Sequence, residues 1–137
     1  MEIIVIGSGM YVSGRGTSGY GTILPAIAKW KKQTRSSDVV RVVATSRESA
    51  RELESKAHKL ENITGVDLNL ITYPRKLEQD DKAYNEAFAD SSKEACVIVA
   101  VPDHLHFEVT KAALLANYHT LVVKPLAPSL KEAKELV

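Results

Sequence analysis

The residues that most clearly indicate chemistry are glycines concentrated near the N-terminus. Six of the seven glycines fall between Gly7 and Gly21, directly after the apolar run Ile3–Ile6. Glycine permits positive φ angles and lets the backbone come close to a ligand. A strand, a glycine loop and then a helix can present backbone N–H groups to a phosphate, so this pattern predicts a nucleotide site. A loop that is merely flexible is the alternative.

Two glycine spacings compete for that role. The tripeptide Gly7–Gly9 directly follows the first strand, as a dinucleotide fingerprint requires, although Val12 stands where the third glycine belongs. A literal G-x-G-x-x-G spans Gly14–Gly19 but begins several residues beyond the strand. Spacing does not choose between them. We favour the first turn and treat residues 11–21 as an insertion that closes over the ligand or lengthens the approach to the next helix. The predicted phosphate contacts are Gly7, Ser8, Gly9 and Met10.

The residues after the second predicted strand bear on the choice of cofactor. An NAD-binding domain commonly has an Asp or Glu there, which binds the ribose 2′-hydroxyl. This chain has Thr45, Ser46 and Arg47 instead, and its first carboxylate is Glu48. Two hydroxyls and a guanidinium can bind a 2′-phosphate, so the sequence predicts NADP, with NAD as the second choice. In the competing interpretation Thr45 and Ser46 only cap the next helix, with Thr45 and Glu48 as a capping box, and Arg47 is solvated.

Two further polar segments follow predicted strands, at 101–106 and 123–126. The carboxyl ends of parallel strands line the ligand crevice of a doubly wound sheet, so both segments should face the glycine loop. His104 and His106 have no evident third ligand, which favours packing, capping or a cofactor contact over a metal site. We therefore predict no metal.

The elements that must position these residues follow from short β-branched runs that alternate with helical patterns. This alternation predicts an α/β fold: a single domain with a three-layer, doubly wound parallel sheet. The predicted strands are Ile3–Ile6, Val39–Ala44, Val66–Tyr73, Ala95–Val101 and Thr120–Val123, with the third at a sheet edge. Helical patterns cover Ile23–Trp30, Ala50–Leu60, Tyr84–Ala89, Leu105–Ala116 and Ser129–Val137. The basic residues Lys29, Lys31, Lys32 and Arg35 are predicted to lie in solvent at a helix C-terminus.

Composition excludes several classes of partner. The chain has 137 residues, 45% of them hydrophobic, and a net charge of +1, so it can form one core and has no overall attraction to nucleic acid or to an anionic membrane. Its uncharged apolar stretches have the length of strands, which predicts no membrane span. The N-terminus lacks the features of a signal peptide, so a cytoplasmic location is expected. Cys96 is the only cysteine and is predicted to pack in the core.

Three of these segments together resemble a known family. The Gly-Ser-Gly turn, VPDHLHFE at 101–108 and LVVKPLAPSLKEA at 121–133 closely resemble the N-terminal half of the Gfo/Idh/MocA oxidoreductases. The similarity extends over residues 1–137 and is most specific over 98–136. It implies a Rossmann-like NAD(P)-binding domain and hydride transfer to or from a sugar, a polyol or a related carbonyl or hydroxyl compound. It also implies a chain cut before a C-terminal substrate and oligomerisation domain, hence a homo-oligomer when full length.

The resemblance also implies individual roles. Gly7 and Gly9 would contact the pyrophosphate. Lys124 would match a family lysine that contacts cofactor and substrate and supports proton transfer, and we expect burial and neighbouring groups to poise it for this role. Pro102, Asp103 and His106 would shape the wall beside the nicotinamide, and Val101 and Pro125 are further expected cofactor contacts.

Two departures from the family pattern keep other functions open. Val123 replaces the family Glu before the lysine, and the loop at 10–21 is longer than usual. A non-catalytic NAD(P)-binding sensor or regulator of the same family is therefore the main alternative, and a structural α/β domain without a dinucleotide is a third.

Overall fold

Five parallel strands form one sheet in a computed structural model that describes residues 1–92 and 94–137. The strands are β1 (Ile3–Ile6), β2 (Val40–Val43), β3 (Leu70–Tyr73), β4 (Cys96–Val99) and β5 (His119–Val122). Their order is β3-β2-β1-β4-β5, with Ile3 in register with both Val40 and Cys96. The chain thus leaves β1 towards one edge and returns past it to form the other half of the sheet. The third strand lies at an edge, as predicted.

Helices cover both faces of this sheet. They are α1 (Met10–Ser13), α2 (Ile23–Thr34), α3 (Arg47–Thr64), α4 (Tyr84–Asp90), α5 (His106–Leu115) and α6 (Leu130–Leu136), and a single 3₁₀ turn (Asp103–Leu105) precedes α5. Alternate residues of β1 point to opposite faces: Ile3 and Val5 pack with α2 and α3, whereas Ile4 and Ile6 pack with α4 and α5. The predicted three-layer α/β fold is confirmed. No helix among the described residues is long and apolar enough to cross a membrane.

The start of α3 differs from the predicted capping box. Ser46, not Thr45, is the N-cap, and its Oγ accepts a hydrogen bond from the Ser49 N–H at 3.1 Å. The carbonyl of Thr45 instead accepts a hydrogen bond from the N–H of Asp80 at 2.9 Å. The prediction of Thr45 as the cap was wrong because this contact with a distant segment holds Thr45 outside the helix.

One of the four basic residues near the end of α2 is not in solvent. Lys31 is only 2% exposed, and its Nζ donates to the carbonyls of Asp38 at 2.7 Å and Leu68 at 2.9 Å. Burial lowers the pKa of this lysine. Lys29, Lys32 and Arg35 are exposed, as expected. The prediction failed for Lys31 because the segments before β2 and β3 close over it and supply its acceptors.

A buried polar network ties β2 and β3 to α4. Arg41 is 7% exposed and donates to the Tyr73 hydroxyl and to the Asp90 carbonyl, each at 2.9 Å. The Tyr73 hydroxyl in turn donates to the Asp90 carboxylate at 3.1 Å. Burial raises the pKa of Tyr73, and the Arg41 guanidinium opposes part of this rise.

This network predicts a loss of stability in alkali. A tyrosine whose pKa is raised by folding holds its proton more tightly in the folded chain. Its contribution to the free energy of unfolding is therefore complete below the ordinary tyrosine pKa of about 10 and falls as the pH rises above that value. Tyr73→Phe is expected to lower the free energy of unfolding by about 1 kcal/mol at neutral pH and to make its alkaline decline shallower. Urea unfolding at several pH values measures both. An equally steep decline in Tyr73→Phe and in a Tyr11→Phe control, which changes an exposed tyrosine, would contradict the prediction.

Candidate functional site

A cleft of about 400 Å³ opens at the carboxyl ends of β1, β2 and β4. It lies beside the switch point between β1 and β4, where open α/β sheets bind their ligands. Its wall consists of residues 6–12, 43–45 and 100–102, together with Arg15, Asp81, Tyr84, Leu105 and Val109. Three of the segments singled out in the sequence therefore meet at one place.

The first glycine turn forms the floor of this cleft. Gly7 has a φ of +122°, and a Cβ added to it would lie 2.1 Å from the carbonyl oxygen of Ala100. Its N–H donates to Val43 at 2.9 Å, so the turn is fixed between β2 and β4. In the described part of the chain, the N–H groups of residues 8–11 have no protein acceptor. The turn therefore combines a close backbone approach with free N–H donors, which suits a pyrophosphate.

The second glycine motif lies away from the cleft. Residues 14–21 fold back against α3, where Lys56 Nζ donates to the carbonyls of Thr17 at 2.6 Å and Gly19 at 2.7 Å. Within residues 14–21, Arg15 is the one that also lines the cleft. In this structure residues 14–21 lengthen the approach to α2, which is one of the two roles considered for the insertion.

The three residues after β2 point in different directions. Thr45 lines the cleft, and Ser46 caps α3. Arg47 turns outward: its guanidinium contacts the carbonyl of Arg75 and lies 3.6 Å from the carboxylate of Glu78, beside a hollow on the outer side of β3. The cause is the segment 78–80, which pairs with the backbone of residues 45–47. The predicted group of two hydroxyls and a guanidinium is therefore not assembled at the cleft.

The segment after β4 reaches the cleft only in part. Val101 and Pro102 line it, whereas Asp103 is exposed in the 3₁₀ turn. His106 is 1% exposed, with Nε2 at 2.9 Å from the Val101 carbonyl and Nδ1 in contact with the Pro125 carbonyl. His106 therefore connects the segments after β4 and β5 behind the wall of the cleft. The contact predicted for His106 beside the nicotinamide is not available in this structure, because the His106 ring is buried.

Lys124 and Pro125 follow β5 and are held near the end of β4 through His106. The side chain of Lys124 is exposed, so the expected burial of this lysine was wrong. Residues 119–122 form an edge strand, and the described residues place no further strand or helix beyond it to cover the lysine. His104 is exposed, and residues 1–92 and 94–137 contain no cluster of three potential metal ligands from His, Cys, Asp and Glu.

Several residues of the cleft were missed in the sequence. Arg15 could have been noticed as the only cation within the glycine-rich segment. Asp81 and Tyr84 had no such signal, because they reach the cleft from the segment before α4 and the start of that helix, distant in sequence from the glycine turn.

Comparison with known proteins identifies a family model that covers the chain. The model of the family described as "Oxidoreductase family, NAD-binding Rossmann fold" (GFO_IDH_MocA) matches residues 1–137. A shorter match links the chain to "Uncharacterized oxidoreductase C26H5.09c" of Schizosaccharomyces pombe, which is 44% identical over 52 residues, or 38% of this chain and 14% of the yeast protein.

Solved structures share the fold over 99% of this chain. One is an NAD binding oxidoreductase from Klebsiella pneumoniae, with a TM-score of 0.63, 18% identity and 30% of its own chain covered. Another is KijD10, a 3-ketoreductase from Actinomadura kijaniata in complex with NADP, with a TM-score of 0.60, 20% identity and 34% of its chain covered. The present chain thus spans about a third of each of these solved chains.

Proposed function

The chain belongs to the oxidoreductase family with the NAD-binding Rossmann fold, and from this premise we propose that it is the cofactor-binding part of an NADP-dependent enzyme. Its reaction would be hydride transfer to or from a sugar, a polyol or a related carbonyl or hydroxyl compound. The observation that carries the proposal is the cleft at the switch point, where the tight Gly7 turn presents free N–H groups. The 3-ketoreductase activity and bound NADP of KijD10 support the substrate class and the cofactor.

Each wall of the cleft has its own part in this proposal. The N–H groups of residues 8–11 would bind the pyrophosphate, and Thr45 would contact the adenosine ribose at the end of β2. Val101 and Pro102 would form the wall beside the nicotinamide ring. When bound, the cofactor supplies the hydride chemistry. The exposed ammonium of Lys124 would hold or release the proton of the reacting hydroxyl.

The remaining expectations concern the whole protein. We propose that a further domain supplies the substrate pocket and the contacts of a homo-oligomer. The proposal is supported by the solved chains, of which this chain spans only about a third. The roles of Asp103 and Pro125 at the nicotinamide end, and a cytoplasmic location, stay predictions from the sequence.

Calorimetric titration of the 137-residue chain with NADPH and with NADH tests the proposal, after circular dichroism has shown that the chain is folded. NADPH would make one or two charge-assisted hydrogen bonds through its 2′-phosphate that NADH lacks. This difference predicts a preference for NADPH of about 10-fold to 100-fold. Equal or tighter NADH binding would overturn the choice of NADP but keep the dinucleotide. Failure of a folded chain to bind either would overturn the proposed function.

A non-catalytic sensor that binds the same cofactor is the second candidate. It is favoured by Val123, which replaces the acidic residue of the family pattern beside Lys124. Steady oxidation or reduction of the cofactor by the complete protein with any sugar or polyol would reject it.

A further inference from the structure

Arg15 is the one arginine or lysine that lines the cleft in the described part of the chain. It lies between Gly14 and Gly16, which have φ angles of +73° and +76°. These left-handed glycines fold the insertion back, so the Arg15 guanidinium contacts α3. Its side chain is 45% exposed, which leaves it accessible to a ligand in the cleft.

The guanidinium lies beside the hydroxyls at the start of α3. Arg15 Nη1 donates to Ser49 Oγ at 2.9 Å, and Ser49 Oγ also accepts a hydrogen bond from Ser46 Oγ at 3.0 Å. Ser46 directly follows Thr45, which lines the cleft at the end of β2. The adenosine ribose of a dinucleotide lies at this strand end in a Rossmann fold. Arg15 and Thr45 both line the cleft there, and a guanidinium with a hydroxyl provides donors that a phosphate monoester requires.

Arg15 is also held in position. Its Nε lies 2.6 Å from the carboxylate of Glu52, one turn further along α3. Nη2 has no protein acceptor among the described residues, so it can donate to a ligand without breaking an existing hydrogen bond. Arg47, by contrast, uses its guanidinium on Arg75 and Glu78 outside the cleft.

We infer that Arg15, rather than Arg47, recognises the 2′-phosphate of the cofactor and so determines the preference for NADPH over NADH. The inference rests on the proposed function, because it requires that the cleft bind a dinucleotide. The role predicted for Arg47, which follows β2 in sequence, is thereby assigned to Arg15 of the glycine insertion, which lines the cleft near the end of the same strand.

Titrations of the 137-residue chain and of Arg15→Gln and Arg47→Gln with NADPH and NADH test this inference. Arg15→Gln is expected to weaken NADPH binding by about 10-fold to 100-fold and to change NADH binding by less than about twofold. Arg47→Gln is expected to keep the NADPH preference. If Arg15→Gln keeps the preference, or if Arg47→Gln is the variant that loses it, the inference is overturned while the proposed function stands. If the unsubstituted chain is folded and binds neither dinucleotide, the proposed function itself fails.

Glu52→Gln separates phosphate recognition from anchoring of the loop. This variant weakens the ion pair but retains the guanidinium and removes a competing negative charge, so NADPH affinity should be unchanged or higher. A loss of preference as large as that of Arg15→Gln would mean that the ion pair, not a phosphate contact, is responsible, and would overturn the inference. Thermal unfolding of each variant, followed by circular dichroism, identifies any loss of affinity that comes from unfolding.

Discussion

Gly7→Ala is expected to lower the free energy of unfolding by about 4 kcal/mol or more and to abolish dinucleotide binding. The new Cβ would lie 2.1 Å from the Ala100 carbonyl oxygen, and the φ of +122° is one that alanine rarely adopts. The strands cannot separate to make room, because Gly7 N–H is bonded to Val43 and Ala100 N–H to Ile6, each at 2.9 Å. Urea unfolding followed by circular dichroism measures the loss.

Gly9→Ala is the matched control for this experiment. Gly9 has an extended conformation with a φ of −76°, and a Cβ at this position would meet no atom within 4 Å. The free energy of unfolding of Gly9→Ala should differ from that of the unsubstituted chain by no more than about 0.5 kcal/mol, which is typical of surface substitutions. Similar stability losses in the two variants would show that the close approach of the turn to β4 is not what requires glycine at position 7.

If the complete protein is the proposed enzyme, Lys124→Ala is expected to lower its turnover by about 100-fold to 10,000-fold, the range that a positioned proton-transfer group contributes. The Kd for NADPH should change by less than about threefold, since the lysine is exposed at the end of β5 and does not line the cleft around residues 8–11. Steady-state kinetics and a separate cofactor titration distinguish the two effects.

Lys131→Ala provides the control for loss of a positive charge, because Lys131 is exposed on α6 and is given no part in the reaction. It should retain full turnover. Equal turnover in Lys124→Ala and the unsubstituted enzyme would contradict the proton-transfer role. Absence of turnover in all three proteins, with NADPH still bound, would favour the sensor.

The framework of the fold could be predicted because its signals are local. The apolar run at 95–101 and the β-branched run at 3–6 indicate buried parallel strands, and both runs contain interior strands of the sheet. Strand ends were less predictable, since all five strands have only four residues each and the flanking apolar residues continue into loops. The alternating polar residues Asp67 and Asn69 correctly indicated an edge, although they precede β3 itself.

The orientation of the site residues could not be predicted in the same way. Thr45 and Ser46 are equally suited to cap a helix, and a hydrogen bond from the distant Asp80 decides between them. Arg47 follows β2 in sequence, yet the pairing of Ser46 with Gln79 directs it outward. Lys31 is charged like its exposed neighbours, and its burial depends on the carbonyls of Asp38 and Leu68, the second of them 37 positions away. Each of these outcomes depends on a contact between segments that no local pattern specifies.

The His106 ring has a consequence for the thermodynamics of binding. Its two ring nitrogens contact the backbone carbonyls of Val101 and Pro125, which belong to different loops, and the residue is 1% exposed. Both loops are thereby ordered when the domain folds, so little conformational entropy remains to be lost there when a cofactor enters. We expect the end of the cleft at Val101 to be preorganised, so its amide hydrogens should exchange with solvent at nearly the same rate in the free and the bound chain.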